Sequence, residues 1–211
     1  MKQMWYVLAM AIVMVSCGGR KQMSSEEIAQ KLDSVKAVEV KEKLKLQGVD
    51  LETSDNPMKM FYDSLSMQTL PISYSDDFVK FLPGFTVMQP EIASYMNLGT
   101  DNKHKAACLP ESVGARLVMV ADEEKGSDHI SSLWLYSLDG DYFPVDKLCL
   151  YAVDDKVDDL LQEKFVQYFS ITSDYEIHLL DYSETQHRML SEEIYYIDAS
   201  RHFQLGATKL E

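Results

Sequence analysis

The second half of the chain most constrains the fold. From Ala115 to Leu205, short apolar runs recur about every ten residues, with turn signals between them. The runs are Ala115–Val120, Leu133–Leu138, Tyr142–Val153, Phe165–Thr172, Tyr175–Leu179, Met189–Ile197 and Phe203–Leu205. They are rich in β-branched and aromatic residues, which suit a pleated, half-buried surface. Strands that are short, close in sequence and joined by tight turns predict an antiparallel meander. The alternation in Tyr175-Glu176-Ile177-His178-Leu179 buries one face and leaves the other to water or a second layer. Asp139-Gly140 predicts a two-residue type I′ hairpin. There is no internal repeat, so the strands would supply at most one or two blades of a propeller.

The segments ahead of the meander are less regular. Ser24-x-x-Glu27 has the form of a capping box, and Ile28, Leu32 and Val35 follow at helical spacing. A helix over about Ser25 to Lys45, stopped near Gly48, is expected. It reads equally as a spacer and as a first helix packed on the domain. Asn56-Pro57 is a turn signal, and the globular domain is placed from there. Leu70 to Tyr74 reads as a short edge strand, because Pro71 has no N–H to give a ladder. Pro90 to Met96 reads as a short helix, with Pro at its start and Gly99 beyond its end. Thr100 to Ala107 reads as a polar loop containing His104, and Asp154 to about Lys164 as an acidic helix. The fold class is therefore β-rich α+β: an antiparallel meander of about 6–8 strands with a few short helices. The expected organisation is a signal over 1–16, a tether over 17–56 and one domain over 57–211.

Met4 to Val15 is an uninterrupted apolar run behind Lys2, followed by Ser16, Cys17 and then Gly18-Gly19-Arg20-Lys21. About 12 apolar residues fit the h-region of a secretion signal and fall short of the ~20 that span a bilayer. Met14-Val15-Ser16-Cys17 resembles the lipobox of bacterial lipoprotein precursors, with Met14 where that family more usually has Leu. The resemblance covers the targeting segment alone and implies no fold. It implies cleavage between Ser16 and Cys17, diacylglycerol on the Cys17 thiol and an acyl chain on the new amino group. Each lipid CH₂ buried contributes ~0.8 kcal/mol, so several chains make a lasting anchor. In style the chain resembles the short, Lys-over-Arg lipoproteins of Bacteroidetes-type Gram-negative bacteria. In that group, acids close behind the cysteine favour surface display. Here the first acids are Glu26 and Glu27, and residue 18 is Gly rather than Asp. By that analogy the expected location is the outer membrane, facing the periplasm.

Formal charge is −14, and loss of Lys2 with the signal leaves −15 on the side chains of a 195-residue mature chain. That balance excludes a nucleic-acid partner, since phosphate recognition needs clustered Lys and Arg. Apolar content of 46% and charged content of 26% are those of a globular protein. With Cys17 assigned to lipid, Cys108 and Cys149 remain, either as a disulfide in an oxidising compartment or as two free thiols.

No motif assigns a reaction. Gly-x-Ser-x-Gly, His-Glu-x-x-His, Gly-x-Gly-x-x-Gly and P-loop patterns are missing from the sequence. His104 with Cys108 raises a Cys/His nucleophile, which needs an imidazole within hydrogen-bond reach of the sulfur. Ser127-Asp128-His129 gathers triad residue types in one loop, whereas a triad draws them from separate elements. Asp154, Asp155, Asp158, Asp159 and Glu163 form an acidic run that reads first as a solvated helix face. His178 sits at a strand position. Trp134, Tyr136, Tyr142, Tyr151, Tyr168, Tyr175, Tyr182, Tyr195 and Tyr196 are read as core before they are read as a stacking surface for sugars or peptides. No catalytic residue, metal site or cofactor beyond the lipid is assigned. The functional expectation is a non-enzymatic lipoprotein that binds an unidentified protein, peptide or glycan. The alternatives are a cell-envelope hydrolase and an inhibitor or immunity-type protein.

Overall fold

The computed structural model describes residues 25–53, 55–99, 102–123, 129–154 and 165–210. Four helices and ten strands occur among them. The helices are α1 (Ser25–Leu46), α2 (Pro57–Ser64), α3 (Asp76–Phe81) and α4 (Pro90–Tyr95). The strands are β1 (Ile72–Ser73), β2 (Thr86–Val87), β3 (Lys103–Ser112), β4 (Ala115–Glu123), β5 (Ile130–Leu138), β6 (Pro144–Asp154), β7 (Phe165–Ile171), β8 (Ile177–Ser183), β9 (Arg188–Ile197) and β10 (Phe203–Leu210). The expected antiparallel meander is present. From β2 to β10 every strand pairs with its sequence neighbour.

The path bends into two antiparallel sheets at β6. Over its first part β6 pairs with β5, but Leu133 faces Tyr151 while Trp134 faces Cys149. Leu150 is thus an extra residue, a bulge that bends the strand and increases its twist. Beyond the bend only Val153 and Asp154 pair with β7. The edge of β7 that β6 vacates is taken by β1, with Ile72 opposite Ile171 and Ser73 opposite Ser170.

Two cores follow from this bend. Between the sheets lie Leu117, Met119, Leu133, Leu135 and Leu150 against Phe169, Ile171, Ile177 and Leu179. On the other face of the first sheet, Cys108, Val118, Val120 and Tyr136 pack with Leu44, Met58, Ile92 and Phe143. β4 contributes to both cores, and Leu117 to Ala121 are all fully buried. This explains why β4 is a continuous apolar run rather than an alternating one.

Several elements differ from the sequence reading. The compact unit runs from Asp33 to Glu211. Residues 33–56, expected in the tether, therefore belong with the globular part, and Leu44 and Leu51 are core. Lys41 bridges Asp139 and Asp141. Asn56 is fully buried, and its Oδ1 accepts from the N–H groups of Met58 and Lys59, capping α2. Its amide donates to the carbonyls of Leu51 and Asp141.

Where the sequence predicts a loop over Thr100–Ala107, β3 begins at Lys103. Small alanines at 106 and 107 fit between two cores without supplying a strong apolar signal. Pro110 is tolerated because it lies in the register shift between Leu109 and Ser112. The two-residue hairpin is also corrected. The β5–β6 loop spans Asp139–Phe143, with Asp139 Oδ1 accepting from the N–H groups of Asp141 and Phe143. The positive φ falls on Tyr142, at 70°. The wider loop carries the Phe143 ring into the helix-side core. The expected acidic helix over 154–164 lies outside the described residues from 155 onward.

Candidate functional site

The edge strand β1 leads to a cleft. After Ser73, the Tyr74 N–H still donates to the Phe169 carbonyl at 2.9 Å, which continues the pairing with β7 by one residue. The Tyr74 ring lies 4.4 Å from Tyr168 and 5.5 Å from Tyr151, stacked on the latter at 24°. Ser75 then caps α3 by accepting from the Phe78 N–H. The first turn of α3 places Asp76 so that the Tyr74 hydroxyl donates to Oδ1 at 2.6 Å. One turn further, Val79 and Lys80 face the start of β5. Tyr74, Asp76, Val79, Lys80, His129, Ile130 and Tyr151 line an open cleft of about 240 Å³.

Ile130 and Tyr151 are buried, while Asp76 and Lys80 are exposed. Burial, then the bond to Asp76, pushes the Tyr74 phenol well above its ordinary range. Burial raises Tyr151 as well, with Tyr168, Asp76 and Glu184 adding to it. Both phenols therefore remain hydroxyls at neutral pH. The site offers a carboxylate, an ammonium group and two phenols beside an apolar wall, the mixture that orients a polar ligand in a pocket.

The residues singled out from the sequence do not converge. Ser16 and Cys17 lie outside the described residues, as do Ser127 and Asp128. Their neighbour His129 lines the cleft. His104 and Cys108 share a face of β3 but stand four residues apart, ~13 Å along a strand. His104 Nδ1 lies 2.7 Å from Asp122 Oδ1 and Nε2 lies 2.6 Å from the Gly99 carbonyl. Both ring nitrogens are thus engaged by oxygen atoms of the protein. The Ser132 hydroxyl donates to the other Asp122 oxygen, and the Trp134 indole N–H donates to Ser132. This is a closed polar network, and the Cys108 thiol is directed instead to the Leu65 carbonyl.

Cys108 and Cys149 are both free. β4 and β5 separate their strands, ~14 Å at ordinary strand spacing, twice the reach of a disulfide. Burial raises both thiols, Cys149 to about 11, so neither has thiolate character at neutral pH. His178 lies on the second sheet, 2.7 Å from Glu192, which also binds Lys209 at 2.8 Å. The Lys209 bond and then the His178 bond hold the Glu192 carboxyl below its usual range. Among the described residues, no cluster of three or more His, Cys, Asp or Glu could hold a metal ion. No described helix is long and apolar enough to cross a membrane.

Tyr74, Asp76 and Lys80 were missed as site residues. Ser75-Asp76-Asp77 carries the signature of a helix start, which would have placed α3. Nothing in the sequence says that α3 faces Tyr151. No family model matches the chain, and no curated protein or solved structure matches it.

Proposed function

We propose that this chain is a lipid-anchored protein of the cell envelope that serves as a non-enzymatic binding module. Its place is the outer membrane, facing the periplasm, held by acyl chains on Cys17. The ligand site is the cleft between α3 and the bend of β6, and the ligand is a peptide or glycan segment that presents hydrogen-bonding groups. The arrangement of Asp76 and Lys80 around Tyr74 and Tyr151 carries this reading. Asp76 has one oxygen bonded to Tyr74, leaving Oδ2 to accept from a ligand. Lys80, on the same helix, supplies a donor of opposite charge.

The anchor is tested by labelling cells with radioactive palmitate. Wild type should take up label and Cys17→Ala should not. Retention of Cys17→Ala in salt-washed membranes would refute the anchor. The binding role is tested on peptide and oligosaccharide arrays. Asp76→Asn and Lys80→Ala should each weaken capture by about tenfold, the loss of one charge-assisted hydrogen bond. Equal capture by all three forms would place binding outside the cleft.

A further inference from the structure

We propose that β10 is a self-pairing edge through which two copies of this chain join their second sheets by antiparallel β-addition about a two-fold axis between Gly206 and Ala207. β10 pairs with β9 on one side and ends the strand order on the other among the described residues. It is long for an edge, Phe203–Leu210, and Leu205 and Leu210 are 50% and 81% exposed. Such an edge is a ready template for another strand.

The bulge within β10 chooses the occupant. Leu205 pairs with Tyr195 and Ala207 pairs with Ile194, so Gly206 is the extra residue. Phe203 and Leu205, opposite Ile197 and Tyr195, face the inter-sheet side. Thr208 and Leu210 share that side, two and four residues along β9 from Tyr195. Gln204 and Lys209 face outward, opposite Tyr196 and Glu192. A side chain on Gly206 would meet the Tyr196 ring at 3.2 Å, which puts Gly206 on the outward side too. Read from each end towards Gly206-Ala207, the faces run in, out, in, out. This mirror symmetry exists because of the extra residue. In a regular strand, residues 204 and 209 would lie on opposite faces.

Two copies of β10, antiparallel about the 206/207 point, therefore match inward with inward and outward with outward. Phe203 then meets Leu210, Leu205 meets Thr208 and Gln204 meets Lys209. Charge agrees with this register. The chain has 34 acids, yet none lies in Phe203–Leu210, and the single charge there is Lys209. Lys209 of one copy comes opposite Gln204 of the other, whose amide donates to Asp198 Oδ2 at 3.1 Å. Hydrogen bonds, first from the His202 N–H, hold Asp198 below the usual carboxylate range, so the glutamine that would meet Lys209 sits beside an anion. An eight-residue edge, ~27 Å long, buries less than the ~800 Å² per partner of a standard interface. The dimer is accordingly weak and concentration-dependent, and confinement of both copies to one surface favours it.

The test is disulfide trapping in whole cells expressing the full chain, read on non-reducing gels. Gln204→Cys with Lys209→Cys should give a covalent dimer, at least tenfold above wild type. Gln204→Cys with Thr208→Cys, which lie on opposite faces, should not. Adding Leu205→Lys to the trapping pair should abolish the dimer while leaving the thermal melt of the folded protein unchanged. No dimer from the 204/209 pair in protein with a native melt would overturn the proposal. Equal dimer from the 204/208 pair would overturn it too. Strong protection of β10 amides from hydrogen exchange in the monomer would mean that another segment of this chain covers the edge, and would also refute it.

Discussion

The two sheets are built from similar sequence and have different surroundings. The first, β2 to β6, has the helices on one face and the second sheet on the other, and Leu117 to Ala121 of β4 are wholly buried. The second, ending in β10, has one covered face, and its last strand is exposed from Gln204 to Leu210. Its outward side carries polar pairs instead of a core: His178 with Glu192, Glu192 with Lys209, and Gln204 with Asp198. Stability should therefore reside in the first sheet and its helices. Recognition has room at the bend and along the open sheet. A tightly packed interior responds to the loss of a methylene, whereas solvent fills in around an exposed ion pair.

That division can be broken by mutation, and the largest effect is expected at Phe143. Phe143→Ala removes a fully buried ring from the helix-side core and should cost ~3–5 kcal/mol in a denaturant titration. Asn56→Ala comes next, at ~2 kcal/mol. It deletes the α2 cap and leaves the carbonyls of Leu51 and Asp141 without their donor. Asp122→Ala should cost ~1–3 kcal/mol, because His104 Nδ1 and the Ser132 hydroxyl lose their acceptor. Equal stability of wild type and Asp122→Ala would show that the network contributes nothing. Lys209→Met, on the open sheet, should change stability by less than about 0.5 kcal/mol, and less still in high salt.

pH sharpens the same contrast. Burial raises Cys149 from 9.0 to about 11. Between those values the unfolded thiol ionises while the folded one keeps its proton. The folded state then holds more protons, so stability falls as pH rises through that window. Cys149→Ala should flatten the alkaline limb of the melting-temperature profile. Glu192 has the opposite sign: its carboxyl is lowered, so its contribution is present above the ordinary carboxylate range and lost as pH falls. Because Glu192 is accessible to solvent, its acid limb should be shallow, and steepening it would contradict the open-sheet description.

Much of the meander could be read from the residues. β4, β5, β7 and β9 lie where apolar runs placed them, and α1 spans Ser25–Leu46 with Gly48 at a positive φ of 82° just beyond. β3 was missed because Lys103-His104-Lys105 opens it and Ala106-Ala107 is too small to read as core. The last apolar run ends at Leu205, whereas in the structure Gly206 is a bulge after which pairing resumes to Leu210. The cleft was not legible at all. Tyr74, Asp76 and Lys80 lie more than forty residues from His129 and Tyr151, and the contact between them depends on where β6 bends.

By itself, then, the sequence determined the order and antiparallel sense of the strands. Neighbouring strands with short connections need only local pairing, and period-two patterning marks which face is buried. Tertiary structure alone decided that the meander divides at Leu150, that β1 fills the gap on β7, and that the faces of β10 run symmetrically about Gly206. Each of these depends on one extra residue in a ladder or on a pairing across about a hundred positions. Such choices are settled by how two cores fill at once, which no local window contains.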